Sequence, residues 1–251
     1  MRRIALIVAS IADRPATAFR RQDGPESMTS PLSVARVTSA RLIEPSRDCS
    51  FCPRLATYRK QLRRQHPIGW FNAPVPAFGP LHARLLIIGL APGRAGANRT
   101  GRPFTGDVAG KLLYSALAKS GFVRGTYGAG TDDGLETVDA RITNAVRCVP
   151  PVNRPSALEV QRCNQFLRSE IAAMPRLRVI LALGHVAHRA ACFALDLPRP
   201  LPLFSHGASF AIGAGLTCVD SYHCSPQNIA TGKLSADKFE SLLADVRRRL
   251  D

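Results

Sequence analysis

The chain of 251 residues has no apolar run approaching the roughly 18 residues or more that a membrane span requires. An integral membrane protein is thereby excluded. Acidic residues are scarce, with 18 Asp and Glu against 34 Lys and Arg and a formal net charge of +16. Most of the excess is arginine, whose planar fork suits phosphate, so a polyanionic partner is expected and nucleic acid is favoured over mere solvated surface charge. The seven cysteines are an odd number without a pairing pattern, which argues against an exported disulfide framework and for a cytoplasmic protein. Internal repeats are absent. So is the Gly-Lys-Ser/Thr ending of a P-loop, which ranks a nucleotide-using transferase last among the functional classes.

With 45% hydrophobic residues the chain has enough apolar content for one large core. Residues 1–12, MRRIALIVASIA, imitate a short signal peptide, but the apolar part is brief and polar, Arg-rich sequence follows. Residues 1–34 are read as a disordered or mis-started leader, with Met28 as the working start, and 35–251 as a single domain. From residue 83, apolar runs of strand length (83–90, 140–148, 178–184 and 216–222) alternate with amphipathic helical stretches (108–120, 157–174, 186–195 and 236–250). Ser156 with Glu159 makes a capping-box pair and Ser235 caps the last helix. The expected architecture is a three-layer α/β/α sandwich around a mainly parallel four-stranded sheet. The glycine-rich stretch 125–139 reads as a surface loop.

Cys49-Ser-Phe-Cys52 is followed by Arg54, Arg59, Lys60, Arg63 and Arg64, as though a metal clip anchors a basic segment. Cys148 and Cys163 lie at the end of the second strand and in the helix after it. Four thiolates suffice to close one metal site, and spacing alone leaves zinc and a [4Fe–4S] cluster open. Cys192 and Cys218 read as small buried hydrophobes.

In open α/β sheets the ligand site lies beyond the carboxyl ends of the strands. The loop after the first strand, from Gly89 through Ala91, Gly93, Gly96 and Gly101 to Gly106, permits close backbone approach to a ligand and ends in Phe104, a platform for a planar base, and Asp107, a carboxylate at a helix start. Helix capping is the plain role for that acid. The loop after the last strand places His223 ahead of Ser225-Pro-Gln227-Asn228, whose small polar groups suit phosphate. A ring, an acid and an imidazole gathered at one edge make a site. His185, His188 and His206 lack such company and read as structural or DNA-facing.

The ordered segments GLAPGRAGANRTGRPFTGD, AVRCVPPVNRP and SYHCSPQN resemble those of the uracil-DNA glycosylase superfamily, specifically its family 5. The resemblance spans roughly residues 46–250, with Cys49, Cys52, Cys148 and Cys163 at the iron–sulfur ligand positions shared with family 4. It implies a structural [4Fe–4S] cluster (zinc is the alternative), an α/β/α fold, and excision of uracil, or another deaminated base, from DNA by base flipping. A monomer acting on DNA at the nucleoid is expected. Leu90 stands where family 4 has glutamate, which leaves Asp107 as the available acid. Asn144 resembles the uracil-reading asparagine of family 4, and Asn153 matches the family's asparagine after the second strand. Cys224 replaces a proline common in the last motif. On this reading Asp107, His223 and Asn153 are catalytic; Phe104 stacks on the base; Asn144 reads it; Gly89, Ala91, Gly93 and Ser225 line the site; and Gln227, Asn228 or Ile229 fills the vacated space. The competing class is a metal-stabilised nucleic-acid-binding protein without catalysis.

Overall fold

The apolar run Leu85–Gly89 forms β1, buried along its whole length, as a strand covered by helices on both faces must be. The structure, a computed structural model, describes residues 41–251; the expected leader lies outside them. The elements follow in the order α1 (Pro53–Gln65), β1, α2 (Ala97–Thr100), α3 (Val108–Lys119), β2 (Val123–Arg124), β3 (Glu136–Thr137), β4 (Ala140–Asn144), a 3-10 turn (Pro151–Asn153), α4 (Ala157–Ala172), β5 (Val179–Leu183), α5 (His185–Ala194), β6 (Ser209–Gly213), β7 (Leu216–Ser221), α6 (Pro226–Ala230) and α7 (Ala236–Leu250).

The central sheet has the order β4-β1-β5-β7-β6. Its first four strands are parallel, and β6 pairs antiparallel with β7 at the edge. Side chains alternate across it. Leu86, Ile88, Ile180, Ala182 and Cys218 face α4 and α5, whereas Leu85, Ile87, Val179, Leu181 and Val219 face α3 and α7. The expected sandwich is therefore present, with five strands rather than four. The missed strand, β6, lies at the sheet edge and is mostly exposed, so it lacks the apolar run that marks a buried strand. The stretch 125–139 is likewise more than a surface loop: it ends in the β2–β3 hairpin and buries Leu135. Among the described residues no helix is long and apolar enough to cross a membrane.

Local signals fix the helix starts. Ser156 Oγ accepts from the Glu159 N–H at 3.2 Å while Glu159 accepts from the Ser156 N–H at 2.8 Å, closing the expected capping box. Glu159 also pairs with Arg54 at 2.6 Å, which ties α1 to α4. A second tie is buried: Glu170 of α4, 0% exposed, accepts from Arg141 of β4 at 2.6 Å and from Arg147 beyond it at 2.5 Å. Removing that carboxylate leaves two buried guanidiniums unpaired, a cost of about 3–5 kcal/mol. Glu170→Ala should lower the thermal midpoint by roughly 10 °C in a melting experiment; an unchanged midpoint would show that the arginines find other partners.

Candidate active site and four-cysteine pocket

The parallel register sets Gly89 of β1 opposite Asn144 of β4, and bonds from Ala145 N–H to Gly89 O and from Val146 N–H to Leu90 O carry the pairing beyond the strand ends. Two side chains close over Gly89. A Cβ there would lie 2.4 Å from Asn144 Oδ1 and 2.5 Å from Phe104 Cζ, so only glycine lets the ring and the amide meet. Asn144 is 3% exposed, yet among the described residues nothing hydrogen-bonds its amide. A buried amide normally has partners; this one keeps its donor and acceptor free.

Phe104 has φ 54, a left-handed backbone that costs an aromatic residue energy and persists only when its surroundings enforce it. Tyr127 Oη donates to the Phe104 carbonyl at 3.2 Å and accepts from the Gly106 N–H at 3.1 Å. Tyr114, stacked on Tyr127, donates to the Pro103 carbonyl at 2.7 Å. Arg102 forks onto Asp133 at 2.8 and 2.6 Å, donates to Gly130 O and lies over the Phe78 and Tyr114 rings. The Arg102 guanidinium holds the Asp133 carboxyl well below the usual carboxylate range. The glycine-rich stretch is thus stapled to the loop that carries Phe104. Nothing in the sequence pairs Arg102 with Asp133, because the contact is tertiary.

Asp107 is the N-cap of α3, its Oδ1 accepting from the Gly110 N–H at 3.1 Å. Its Oδ2 lies against the backbone of Gly96 and Gly93, where Cβ atoms would come within 2.4 and 3.1 Å. Burial raises the Asp107 carboxyl above its ordinary value, against the lowering bonds from Gly110 and Ala109. His223 follows β7 with its ring centroid 5.8 Å from that of Phe104, tilted by 30°. Burial pushes its imidazole down to about 4, so the ring is neutral at neutral pH. Burial, with a smaller contribution from the Asp107 carboxylate, pushes the adjacent Cys224 thiol up to about 12. Ring, acid, amide and imidazole thus gather at one rim of the sheet.

Other residues expected at the site have different surroundings. Ser225 caps the short helix α6, and Asn228 Nδ2 donates to the His223 carbonyl at 2.8 Å; both shape the His223 turn. Gln227 is exposed beside Ile229, which is 38% exposed. Ala91 packs half-buried against the core. Asn153 stands apart: exposed, with φ 56, and without a hydrogen bond or ring contact to Phe104, Asp107, Asn144 or His223 among the described residues. Of the other histidines, His188 is buried against Asp220 Oδ1 at 2.9 Å, His206 accepts from the Tyr222 N–H, and His185 stacks on Phe204. The first is therefore structural and not DNA-facing.

Cys49, Cys52, Cys148 and Cys163 line one pocket with Arg59 and Phe166. All four are free thiols. Burial pushes Cys148 up to about 11 and Cys163 to about 12, and also raises Cys52. The thiolate form therefore needs positive charge nearby. Cys163 Sγ accepts from the Arg147 backbone N–H at 3.3 Å, and Cys148 Sγ from Arg59 Nη1 at 3.2 Å. Of the basic residues after Cys52, Arg59 turns inward to the cysteines and is 1% exposed. Its spacing from Leu55 and Leu62, which share the buried face of α1, is the helical signal that foretold this.

The sequence profile of the Uracil DNA glycosylase superfamily matches residues 76–247. Type-5 uracil-DNA glycosylase of Pyrobaculum aerophilum is 42% identical over 205 residues, covering 80% of this chain and 87% of that protein. The Type-5 uracil-DNA glycosylase of Thermus thermophilus is 38% identical over 204 residues, covering 80% and 93%. A Type-4 uracil-DNA glycosylase of Pyrobaculum aerophilum is 37% identical over a shorter 151 residues, 60% of this chain. With a family profile spanning most of its length and relatives this similar over four-fifths of it, the chain belongs to the uracil-DNA glycosylase superfamily.

Proposed function

We propose that this chain is a DNA-repair hydrolase that extrudes a uracil nucleotide from DNA and breaks its N-glycosidic bond. The observation that carries the reading is the gathering of Phe104, Asn144, Asp107 and His223 around the end of β1 in a member of this superfamily. A base inside the duplex is out of reach, so the nucleotide must leave the stack, most cheaply at a mismatch such as U·G. Arginine side chains and backbone N–H groups hold the phosphates, and the exposed residues Gln227 and Ile229 fill the gap.

Uracil stacks on the Phe104 ring. The 5.8 Å between Phe104 and His223 is less than the roughly 7 Å that two stacking layers need, so the base lies beside His223 rather than between the rings. That arrangement suits a hydrogen bond in the plane of the base. As the bond from the sugar to N1 breaks, negative charge gathers on the uracil, chiefly at O2, and the N–H of the neutral His223 imidazole donates a hydrogen bond to it. The Asp107 oxygen not used in capping orients water toward the sugar carbon and takes its proton; the hydroxyl joins the sugar and the proton returns to the departing base. Asn144 accepts from N3–H and donates to O4, a pair that cytosine cannot reciprocate. Asn153, exposed on the 3-10 turn after β4, joins the site only if that turn moves when DNA binds.

We further infer that the four cysteines hold a [4Fe–4S] cluster that braces the fold, joining the segment before α1 to the end of β4 and to α4. Four thiols line one pocket, and four thiolates suffice to hold such a cluster, one on each iron.

Excision of uracil, hypoxanthine and xanthine from defined oligonucleotides tests the reading directly. Asp107→Asn should lower the rate by roughly 10²–10⁴ and His223→Ala by ~10² or more, while DNA binding persists; retained turnover in both would overturn the proposed roles. The activity of the unsubstituted protein should fall as the pH drops through a point above the ordinary carboxylate range, where Asp107 takes up its proton, and His223 should add no break until about pH 4. Asn144→Ala should erase the preference for uracil, seen as a loss of discrimination in the same assay. Iron and sulfide near four each per chain, with a broad visible absorption, are expected of anaerobically purified protein; stoichiometric zinc without iron refutes the cluster.

A further inference from the structure

Arg59 is an unusual side chain in a protein interior. It is 1% exposed, and among the described residues no carboxylate forms an ion pair with it, Asp48 acting on it only through its charge while paired with Arg63; its hydrogen-bond partners are Cys148 Sγ at 3.2 Å and the Cys49 carbonyl at 2.8 Å. Among the described residues its Nε has no partner. A buried guanidinium with no ion-paired carboxylate is costly, because desolvation of the charge goes uncompensated. The same imbalance extends behind the pocket. Arg147, whose backbone N–H reaches Cys163, shares the single carboxylate of Glu170 with Arg141. Among the described residues the buried guanidiniums Arg59, Arg141 and Arg147 outnumber the one buried carboxylate that pairs with any of them, Glu170, so positive charge is in excess behind the pocket. The Arg54–Glu159 pair near Cys52 is already balanced.

Four thiolates around a doubly charged iron–sulfur core leave two negative charges, which is the complement of this excess. We propose that Arg59 is the buried counter-cation of the four-cysteine site and sets the reduction potential of the cluster bound there. Resting on the cluster reading above, the inference goes beyond it to a role for this chain's own arginine. A positive charge and an N–H···S bond at Cys148 both favour added negative charge, so Arg59 raises the potential above that of the same cluster without it. The arginine fork also anchors two of the ligand segments, since one Nη binds the Cys148 sulfur and the other the Cys49 carbonyl. A lysine there supplies the charge from a single point and forfeits the fork.

The test uses the full chain, purified anaerobically and titrated with dithionite as electron donor while the visible spectrum is followed. Arg59→Met, which keeps the bulk of the side chain, should move the midpoint to lower potential, and Arg59→Lys should fall between the two. Iron release to a chelator should quicken at least several-fold in Arg59→Met and less in Arg59→Lys. Should Arg59→Met lose the cluster during purification, Arg59→Lys alone carries the comparison. Midpoints and release rates indifferent to both substitutions would overturn the role assigned to Arg59. Absence of iron from the unsubstituted protein is a different result, which refutes the cluster itself.

Discussion

Everything at the active rim depends on an approach that only a missing side chain permits. β1 ends in Gly89, directly opposite Asn144 of β4, and the space a Cβ would take is filled from two directions by Asn144 Oδ1 and the Phe104 ring. The strand pairing is rigid, since β1 is buried and bonded on both sides. The loop after it is therefore forced to fold back over its own strand end. That return is paid for in backbone strain at Phe104, held in place by Tyr127, Tyr114 and the Arg102–Asp133 pair. Further along the same loop, Gly93 and Gly96 admit the Asp107 carboxylate by the same device.

The two polar centres of the molecule treat charge in opposite ways. At the rim of the sheet stand a neutral imidazole, a carboxylate of raised pKa and, among the described residues, an unpaired amide, which in the proposed mechanism meet the charge that develops on a departing base. At the cysteine pocket the positive charge is fixed in advance: buried arginines outnumber carboxylates, and protonated thiols leave that excess unanswered. With the proposed cluster bound, metal binding and folding are coupled at this pocket, because interior thiolates need cations beside them.

Much of this was legible in the sequence, and the failures have physical causes. Period and run length gave the parallel strands and the main helices, and the capping box at Ser156 formed as its residue types require. β6 escaped notice because an exposed edge strand has no apolar run to announce it. The clustering of Phe104, Asp107 and His223 followed from a general rule about strand ends, and the structure brings these three and Asn144 together. Asn153 was placed with them by family likeness alone, and the structure leaves it exposed on its own turn. Arg59 counts in the sequence only as one of the basic residues after Cys52, and its helical spacing from Leu55 and Leu62 is what marks it as buried. The brace from Arg102 to Asp133 had no sequence signal, since nothing local joins two loops.

The central claim, that the vacancy at Gly89 is what assembles the base site, is tested most directly by uracil release from an oligonucleotide by Gly89→Ala. One methyl group placed 2.4 Å from Asn144 Oδ1 and 2.5 Å from Phe104 Cζ must displace the ring or the amide. The account predicts a loss of ~10² or more in rate, with secondary structure and metal content as in the unsubstituted protein. Uracil release near the unsubstituted rate would contradict it.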